Sequence, residues 1–525
     1  MKVIIYIALI LLSTCGPDKP IIPDKPPDII SEAKSIKDFE SVNDWAKWLD
    51  INDTNIGVID SIYDLKFKRL EFFNDLRLSG KGGFINLAPI HFHKSIYLDG
   101  ISIDTVHDYW SNRYKYGVAF YYKGNSGKIS VHLKDVKNSN SKTLIRVDNE
   151  QLKDTLFVDL DIRNITIKDN SNGGIHVRAV CDNGIVDNIK ILKPKGYNKA
   201  ILPVTDTLQR NAGNSYIDNR ESSYYNSGLT IGSRVVSGLK TRYSENIKIS
   251  NVYIENLVIG HDATTFNNDG GRSIHTTGVM FAGNNCTLIN YNALNVERPL
   301  YLRGNNFTTS NLNFDNSEYT ASYFFVNKGK RDLGLTKITN SIFTGKAEAA
   351  ALISSTDSTV FEKIKFDITP TDNFYKLNDS LILRKGSKGF WNEGIFRDNG
   401  GSVIFKDVDI NINGKDDTYV FIGLNSSGLK GLYFENVKYS TDKTGYFLTA
   451  KKFKEVNINN LGIYGSQFVI SETNKVEVKN VYPIKRNEKE YIFPIVYLTD
   501  VQDFRYEGKK INVVGSNLNR INITK

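Results

Sequence analysis

Cysteine is scarce in this chain of 525 residues. It has three cysteines, and only Cys181 and Cys286 lie beyond residue 15. Two cysteines cannot form the dense disulfide framework that stabilises small secreted domains. They also do not stand at a Cys/His spacing typical of a zinc site. We therefore expect both to be buried as small apolar residues, with a disulfide between them as the alternative.

Long apolar runs are also missing after the first residues. Residues 3–12, behind Lys2, form an unbroken apolar run of ten, about half of the roughly 20 residues that a membrane-spanning helix needs. That length is typical of a signal peptide. The next residues, Leu12-Ser13-Thr14-Cys15, resemble a bacterial lipoprotein box. The resemblance implies cleavage after residue 14 and lipidation of the Cys15 thiol.

The stretch that follows is consistent with an anchor. Five of the twelve prolines lie within eleven residues, at Pro17, Pro20, Pro23, Pro26 and Pro27. A proline-rich segment is a semi-rigid, extended spacer. We therefore expect a signal peptide over 1–14, a lipidated cysteine and spacer over 15–34, and one folded domain over 35–525. The domain is expected outside the cytoplasm, held by lipid at the outer membrane or surface of a bacterium.

The net charge of +9 bears on the partner. Exported proteins with such a balance often bind anionic polymers, although general richness in lysine is an alternative explanation. Aromatic residues are not interleaved with basic ones in the manner of nucleic-acid binding. We therefore expect an anionic polysaccharide as the partner and no nucleic acid. The oligomeric state cannot be read from the sequence.

Internal repeats predict the fold. Apolar-x-apolar triplets alternate with short turns at Asn, Asp or Gly, as in residues 161–170, 187–193, 245–259, 286–296, 337–345, 361–368, 403–413, 431–440, 454–465 and 475–482. Period-two alternation indicates strands with one buried face. Asparagine suits the turns because it tolerates the left-handed backbone conformation.

The spacing of the turns is 21 to 24 residues, as between Leu76 and Tyr97, Asn164 and Asn188, Asn290 and Asn311, Asn436 and Asn459, and Asn459 and Asn480. Helical periodicity is confined to residues 35–50, where Phe39, Val42, Trp45 and Leu49 share one face. Such a helix can cover the open end of a solenoid. The prediction is an all-β, right-handed parallel β-helix with an N-terminal amphipathic cap helix at about 36–50.

Two segments resemble known β-helix families. Residues 55–87 are similar to the first turns of pectate-lyase-like proteins, with a strand, a hydrophobic turn and an L-x-G-x-G step. Residues 226–257 resemble polygalacturonase-type hydrolases, whose G-[IL]-S-I-G-S step corresponds to Gly228, Leu229, Thr230, Ile231, Gly232 and Ser233, with Ser227 before it. These resemblances imply the fold and polysaccharide cleavage as a class. That hydrolase family has its catalytic histidine where this chain has Ser227, so no catalytic residue is carried over.

Polar insertions mark the expected active face. Residues 193–244 separate the turns at Asn188 and Asn246 by 58 positions, and residues 260–285 form a second insertion. All seven histidines lie in the first 275 residues, and histidine is the usual general acid or base. We therefore place the active face within about residues 170–280.

Two kinds of sugar-chain cleavage fit the residue types in this interval. A lyase needs a cation to neutralise a uronate carboxylate and a base to remove the adjacent proton. An inverting hydrolase needs two carboxyl groups roughly 6.5–9.5 Å apart, and Asp206, Asp218, Asp262 and Asp269 cannot be paired from sequence. Alternation in a strand places His176 and Arg178 on one side, outward because charge burial is unfavourable. The candidate catalytic residues are His176, Arg178, Arg234, His261, Asp269, Arg272 and His275, and the candidate substrate-binding residues are Arg220, Tyr224, Tyr225 and Asn268.

The predicted function is cleavage of an acidic polysaccharide, with a lyase ahead of a glycoside hydrolase. One alternative is a non-catalytic β-helix for glycan binding or adhesion. Another is a phage tailspike-like depolymerase, which the lipoprotein box disfavours. No cofactor or resident metal is implied, although Asp and Asn oxygens of the loop 267–278 could hold Ca²⁺.

Overall fold

The chain winds into a parallel β-helix in the computed structural model. Each turn, called a rung below, adds a strand to each of three parallel sheets. The all-β, parallel prediction is therefore confirmed. The structure describes residues 32–106, 117–125, 127–148, 155–170, 173–192, 227–232, 243–257, 277–327, 334–353, 358–370, 374–377, 380–383, 394–398, 402–413, 418–424, 430–441, 445–464, 466–484, 495–513 and 519–522.

The three sheets are named in the order in which a rung passes through them. Strands of the first sheet alone are Ala33–Ser35, Ile56–Ile59, Leu76–Gly80, Ile96–Asp99, Lys128–Lys134 and Asp503–Tyr506. Strands of the second sheet alone are Ile62–Asp64, Gly83–Leu87, Ser102–Val106 and Lys137–Ser139. Strands that bend from the first sheet into the second are Phe157–Lys168, Ile185–Leu192, Lys248–Glu255, Thr287–Leu294, Ser358–Pro370, Ser402–Ile412, Gly431–Thr441, Glu455–Ile463 and Lys475–Pro483.

The third sheet closes each rung. Its strands are Glu71–Phe72, Ile90–Phe92, Val118–Tyr122, Thr143–Asp148, Ile175–Arg178, Ser227–Ile231, Thr277–Asn284, Arg298–Asn305, Gly394–Asp398, Thr418–Leu424, Gly445–Lys451, Ser466–Ser471 and Ile495–Thr499. Two long strands, Thr308–Asn327 and Leu335–Ile353, run through all three sheets. Antiparallel pairs are formed by Phe374–Leu377 with Ser380–Leu383, Lys509–Ile511 with Asp503–Tyr506, and Asn519–Asn522 with Ile495–Thr499.

The N-terminal cap is shorter than its sequence pattern. A 3-10 helix, Ile36–Asp38, precedes an α-helix, Val42–Leu49. Ser41 separates them because its backbone is extended and its side chain accepts a hydrogen bond from the Asp44 amide, which begins the second helix. Trp45 and Leu49 are buried at the end of the core, as the cap prediction requires. Within the described ranges no helix has the length and apolarity to cross a membrane.

One apolar core runs along the inside of the rungs from Ile36 to Phe504. Cys181 and Cys286 are both free and buried, as predicted. Burial raises the pKa of the Cys286 thiol to about 12 and lifts that of Cys181 well above its usual value. Neither thiol is therefore ionised near neutral pH, and both act as small apolar side chains.

Asparagine turns join the first sheet to the second. Asn164, Asn188, Asn290 and Asn311 all have positive φ angles between 54° and 58°. Their side chains also bond along the stack: Asn188 Nδ2 donates to Asn164 Oδ1 at 2.9 Å, and Asn311 Nδ2 donates to Asn290 Oδ1 at 3.0 Å. The turn mechanism predicted from the sequence is therefore confirmed.

The register differs from the predicted spacing in three places. Leu76 pairs with Ile96 instead of Tyr97. The late turn is at Asn460, not Asn459, since Asn460 has φ 59° and bonds to Asn436 and Asn480. Asn188 is equivalent to Asn251, and Asn246 to Asn183, so that the long interval measures 63 residues and not 58. A strand of the third sheet, Ser227–Ile231, lies within that interval.

Asn290→Ala is expected to lower the free energy of unfolding by roughly 2 kcal/mol. The left-handed conformation costs about 1–2 kcal/mol for a residue with a Cβ, and alanine lacks the polar side chain by which asparagine offsets that cost. The two exposed hydrogen bonds of Asn290 add at most about 1 kcal/mol. Asn290→Gly keeps the backbone angle accessible and should lose only the hydrogen-bond part. Urea denaturation measures both, with Asn292→Ala on an exposed mid-strand position as the control. Equal stability of the Ala and Gly variants would contradict this account.

Candidate functional site

His176 and Arg178 lie on the outward face of the third sheet. Their neighbours Ile175 and Val177 belong to the core, and side chains alternate along a strand. The outward direction is therefore as predicted. Access is not, since His176 is 1% exposed and Arg178 is 3% exposed. In this structure neither side chain is open to a ligand.

One outward column of the third sheet passes through His176. Strand pairing aligns its members one rung after another in the order Glu71, His91, Tyr121, Arg146, His176, Thr230, Met280 and Tyr301. Neighbouring strands lie about 4.8 Å apart, so adjacent members can touch. The face is polar and cationic up to His176. From Met280 onward it is apolar, with Met280, Tyr301 and Val326 in one buried cluster.

A buried carboxylate on the same face holds two arginines. Asp148 Oδ2 accepts from Arg146 Nη2 at 3.4 Å and from Arg178 Nη1 at 3.2 Å. The side chains of Arg146, Asp148 and Arg178 are 20%, 5% and 2% exposed. Charges removed from water need such pairing to be tolerated. Asp148 therefore fixes the position of Arg146, whose guanidinium is the most accessible of the three groups.

His176 is held as a neutral imidazole next to these charges. Its Nε2 lies 2.9 Å from the Ser227 carbonyl oxygen. A carbonyl only accepts, so Nε2 carries the proton and Nδ1 is the unprotonated nitrogen. Burial, together with the positive charges of Arg146 and Arg178, lowers the pKa of His176 to about 3.

The N-terminal part of the same face is a row of rings and cations that we call the third-sheet stripe, in which every side chain except His91, which is 8% exposed, is at least partly exposed. It consists of Arg69, Phe73, His91, His93, Tyr121, Lys123 and Arg146. Phe73 is 57% exposed, and its ring stacks on that of His93 at 4.5 Å. The ring of His91 meets that of Tyr121 edge-on at 5.9 Å.

Cations surround the aromatic members of the stripe. Lys123 Nζ lies 4.2 Å from the centre of the Tyr121 ring, and the Arg146 guanidinium carbon lies 5.2 Å from it. Arg69 Nη2 donates to His91 Nδ1 at 3.5 Å. Burial and the charges of Arg69 and Lys123 lower the pKa of His91. Three cations stand beside two carboxylates, Asp148 and Glu71, which is hydrogen-bonded to His93 at 2.9 Å, so the surface is net positive. Its accessible rings are those of Phe73, His93 and Tyr121, whereas His91 is largely buried and unprotonated at neutral pH.

The other predicted site residues lie outside the described residues. These are Arg220, Tyr224, Tyr225, Arg234, His261, Asn268, Asp269, Arg272 and His275, together with the predicted lipidation site Cys15. The Asp and Asn side chains considered for Ca²⁺ also lie there. Within the described ranges, no three His, Cys, Asp or Glu side chains are grouped so as to hold a metal ion.

The stripe precedes the interval in which the sequence placed the active face. His91 and His93 were visible in the histidine distribution, but Tyr121, Lys123, Arg146 and Asp148 were missed. Column neighbours here are 25 to 30 residues apart, so the regular spacing did not align them. No family model, curated protein or solved structure matches this chain, so its function is inferred from the chemistry of the stripe.

Proposed function

We propose that the protein binds an acidic polysaccharide along the third-sheet stripe and cleaves it by β-elimination. The observation that carries this proposal is the grouping of Arg69, Lys123 and Arg146 around the rings of His91 and Tyr121. Arginine binds carboxylates through paired, charge-assisted hydrogen bonds. Rings on the same surface offer apolar faces to sugar rings. The net charge of +9 favours the same class of partner.

The chemistry assigned to each group follows from its type. The cations would bind a uronate carboxylate and withdraw electrons from the adjacent carbon, which makes its C–H bond more acidic. His91 is unprotonated at neutral pH, and its Nδ1, which accepts from Arg69, is the atom that can take that proton once Arg69 turns to the uronate carboxylate. Tyr121 lies beside His91. The electron pair of the C–H bond then forms a C=C bond, and the glycosidic C–O bond breaks. The leaving oxygen takes a proton, which the Tyr121 hydroxyl can supply.

The buried residues have a supporting part in this proposal. Asp148, which also pairs with Arg178, holds Arg146, and His176 adds no charge there. The loop residues predicted as catalytic or substrate-binding remain predictions.

Membership of the pectate-lyase-like group and a lipid anchor on Cys15 outside the cytoplasm are further parts of the proposal. The first is supported by the parallel β-helix and residues 55–87, and the second by the box that ends at Cys15.

A second candidate function is glycan binding without cleavage. It is favoured by the burial of His176 and Arg178, which removes a histidine and an arginine from contact with a ligand. A stripe that retains exposed cations and rings can still bind a polymer in that case. The two candidates share the surface and differ only in turnover.

Purified protein incubated with polygalacturonate, alginate and glycosaminoglycans decides between them. A lyase produces unsaturated ends that absorb in the ultraviolet, whereas a hydrolase yields reducing ends without that absorbance. We expect His91→Gln to abolish product formation while polymer binding is retained. Lys123→Ala should weaken binding roughly 10-fold, as expected for losing one charged hydrogen bond of about 1.5 kcal/mol. Lys168→Ala, which removes an exposed lysine of the second sheet, is the matched control.

Each outcome has a defined meaning. Binding without product would select the non-catalytic candidate. Reducing ends alone would replace β-elimination by hydrolysis. If no acidic polymer binds, or if Lys123→Ala and Lys168→Ala behave alike, the stripe is not the binding surface.

A further inference from the structure

The geometry points to a second saccharide-binding surface, on the outward face of the first sheet. We infer that it takes a neutral, hydroxyl-rich polymer, and that it works independently of the third-sheet stripe. The surface is a groove of about 370 Å³ that includes Arg77, Tyr97, His132, Lys134, Asp161 and Arg163 in its lining. The groove lies on another sheet than the stripe and takes another class of ligand than the acidic polymer proposed for cleavage.

The groove is built by strand register. Arg77, Tyr97, His132 and Asp161 are aligned with one another over four successive rungs. Their strand neighbours Leu78, Leu98, Leu133 and Ile162 are buried in the core, so the column faces outward. Three intervals of about 4.8 Å give the column a length of roughly 14 Å. A shallow groove of that length suits an extended chain better than a compact small molecule.

One end of the groove is held rigid before any ligand arrives. Arg77 Nε donates to the Asp53 carbonyl oxygen at 2.6 Å, and Arg77 Nη2 lies 3.2 Å from Asp75 Oδ2. The Arg77 guanidinium covers the Tyr97 ring at 3.9 Å. The Tyr97 ring in turn meets that of His132 edge-on at 5.1 Å. Side chains fixed in this way lose little conformational entropy on binding.

The other end alternates donors and acceptors. His132 Nε2 lies 3.1 Å from Asp159 Oδ2, and Arg163 Nε donates to Asp161 Oδ1 at 2.6 Å. The hydrogen bond from His132 lowers the pKa of Asp159, which keeps that carboxylate ionised. A sugar hydroxyl both donates and accepts, so it can bridge neighbouring groups of such a row.

The charge balance selects a neutral ligand. Each cation of the groove already has an acidic neighbour: Arg77 has Asp75, Arg163 has Asp161, and Lys134 lies 4.0 Å from Asp135. A ligand carboxylate would have to displace these carboxylates and would be repelled by them. In the stripe, the three cations Arg69, Lys123 and Arg146 stand beside two carboxylates, Glu71 and the buried Asp148, so the stripe keeps a net positive charge and the two faces differ in the ligand charge that they favour.

Native affinity electrophoresis in gels that contain dextran, galactomannan, xylan or mixed-linkage glucan tests the inference. We expect at least one of these neutral polymers to retard the wild-type protein. His132→Ala should weaken that retardation at least 10-fold and leave binding to acidic polymers unchanged. Lys123→Ala should weaken binding to acidic polymers and leave the retardation by neutral polymers unchanged. The two variants therefore separate failure of this inference from failure of the proposed function.

Two results would overturn it: no retardation of the wild type by any neutral polymer, or wild-type retardation of a folded His132→Ala protein. Thermal unfolding establishes whether His132→Ala is folded. If it is not, Arg163→Gln replaces it, since that exchange leaves the ring stack of Arg77, Tyr97 and His132 in place. Full retention of neutral-polymer binding in Arg163→Gln would then count against the groove.

Discussion

Asp148→Ala is expected to lower the free energy of unfolding by about 3–5 kcal/mol, the range for removing one partner from a buried ion pair. The carboxylate is 5% exposed and lies 3.2 Å from Arg178, which is itself 2% exposed, and 3.4 Å from Arg146. Alanine would take away the negative charge that both guanidinium groups share. Two like charges would then remain close together at low dielectric. Guanidinium chloride denaturation, followed by circular dichroism, measures the loss.

The matched control is Asp161→Ala. Asp161 also pairs with an arginine, Arg163, at 2.6 Å, but the two side chains are 40% and 46% exposed. Exposed pairs contribute about 0–1 kcal/mol, so this variant should unfold near the wild-type midpoint. Similar losses in the two variants would show that burial does not govern the Asp148 pair. A folded Asp148→Ala protein should also bind acidic polymer more weakly, because Arg146 is no longer held on the stripe.

The fold could be predicted because its signals are local. Alternation of apolar residues defines strands, and single asparagines with positive φ define turns, so neither requires knowledge of distant residues. The remaining errors were shifts in register. In the pair Asn459-Asn460 either residue can adopt the left-handed conformation, and the choice of Asn460 depends on bonds to Asn436 and Asn480 in adjacent rungs. Those bonds are not visible in a single rung.

The candidate site was harder to predict because it is made by register. Arg146, Asp148 and Arg178 come from two strands, and the segment that joins them is longer than a regular rung. The sequence does not show how long each loop between strands is. The residue that pairs with a given strand position therefore cannot be found by counting a fixed number of residues along the chain. Arg178 was identified from its type and from alternation with His176, whereas Asp148 gave no signal of its own. Its role depends on being buried between two arginines, which only the assembled sheet shows.

Alternation along the strand also could not predict whether the ionisable side chains of His176 and Arg178 are buried. His176 and Arg178 do face outward, and alternation says no more than that. A position on the outer face of a sheet is exposed only where nothing covers it, and coverage is a tertiary property. Ser227, from the next strand of the third sheet, accepts the His176 hydrogen bond. The sequence distance between them is 51 residues.

Acid should destabilise the protein through His176. The folded-state pKa is about 3, against 6.5 for a free histidine, so between these values the unfolded chain binds a proton that the folded chain does not. Stability is therefore lost as the pH falls from about 6.5 towards about 3. A pKa shift of one unit corresponds to about 1.4 kcal/mol. The shift from 6.5 to about 3 therefore lowers the free energy of unfolding in acid by at most roughly 5 kcal/mol. Urea denaturation at a series of pH values from 7 to 4 measures it.

His176→Gln isolates this contribution, because glutamine can donate to the Ser227 carbonyl and does not titrate. At pH 7 the variant should be within about 1 kcal/mol of wild type, since only one hydrogen-bond geometry changes. Towards pH 4 the wild type should lose stability faster than the variant. Protonation of carboxylates destabilises both proteins, whereas protonation of His176 destabilises only the wild type. Parallel pH profiles for the two proteins would mean that His176 titrates alike in the folded and unfolded states. The lowered pKa assigned to the buried imidazole next to Arg146 would then be wrong.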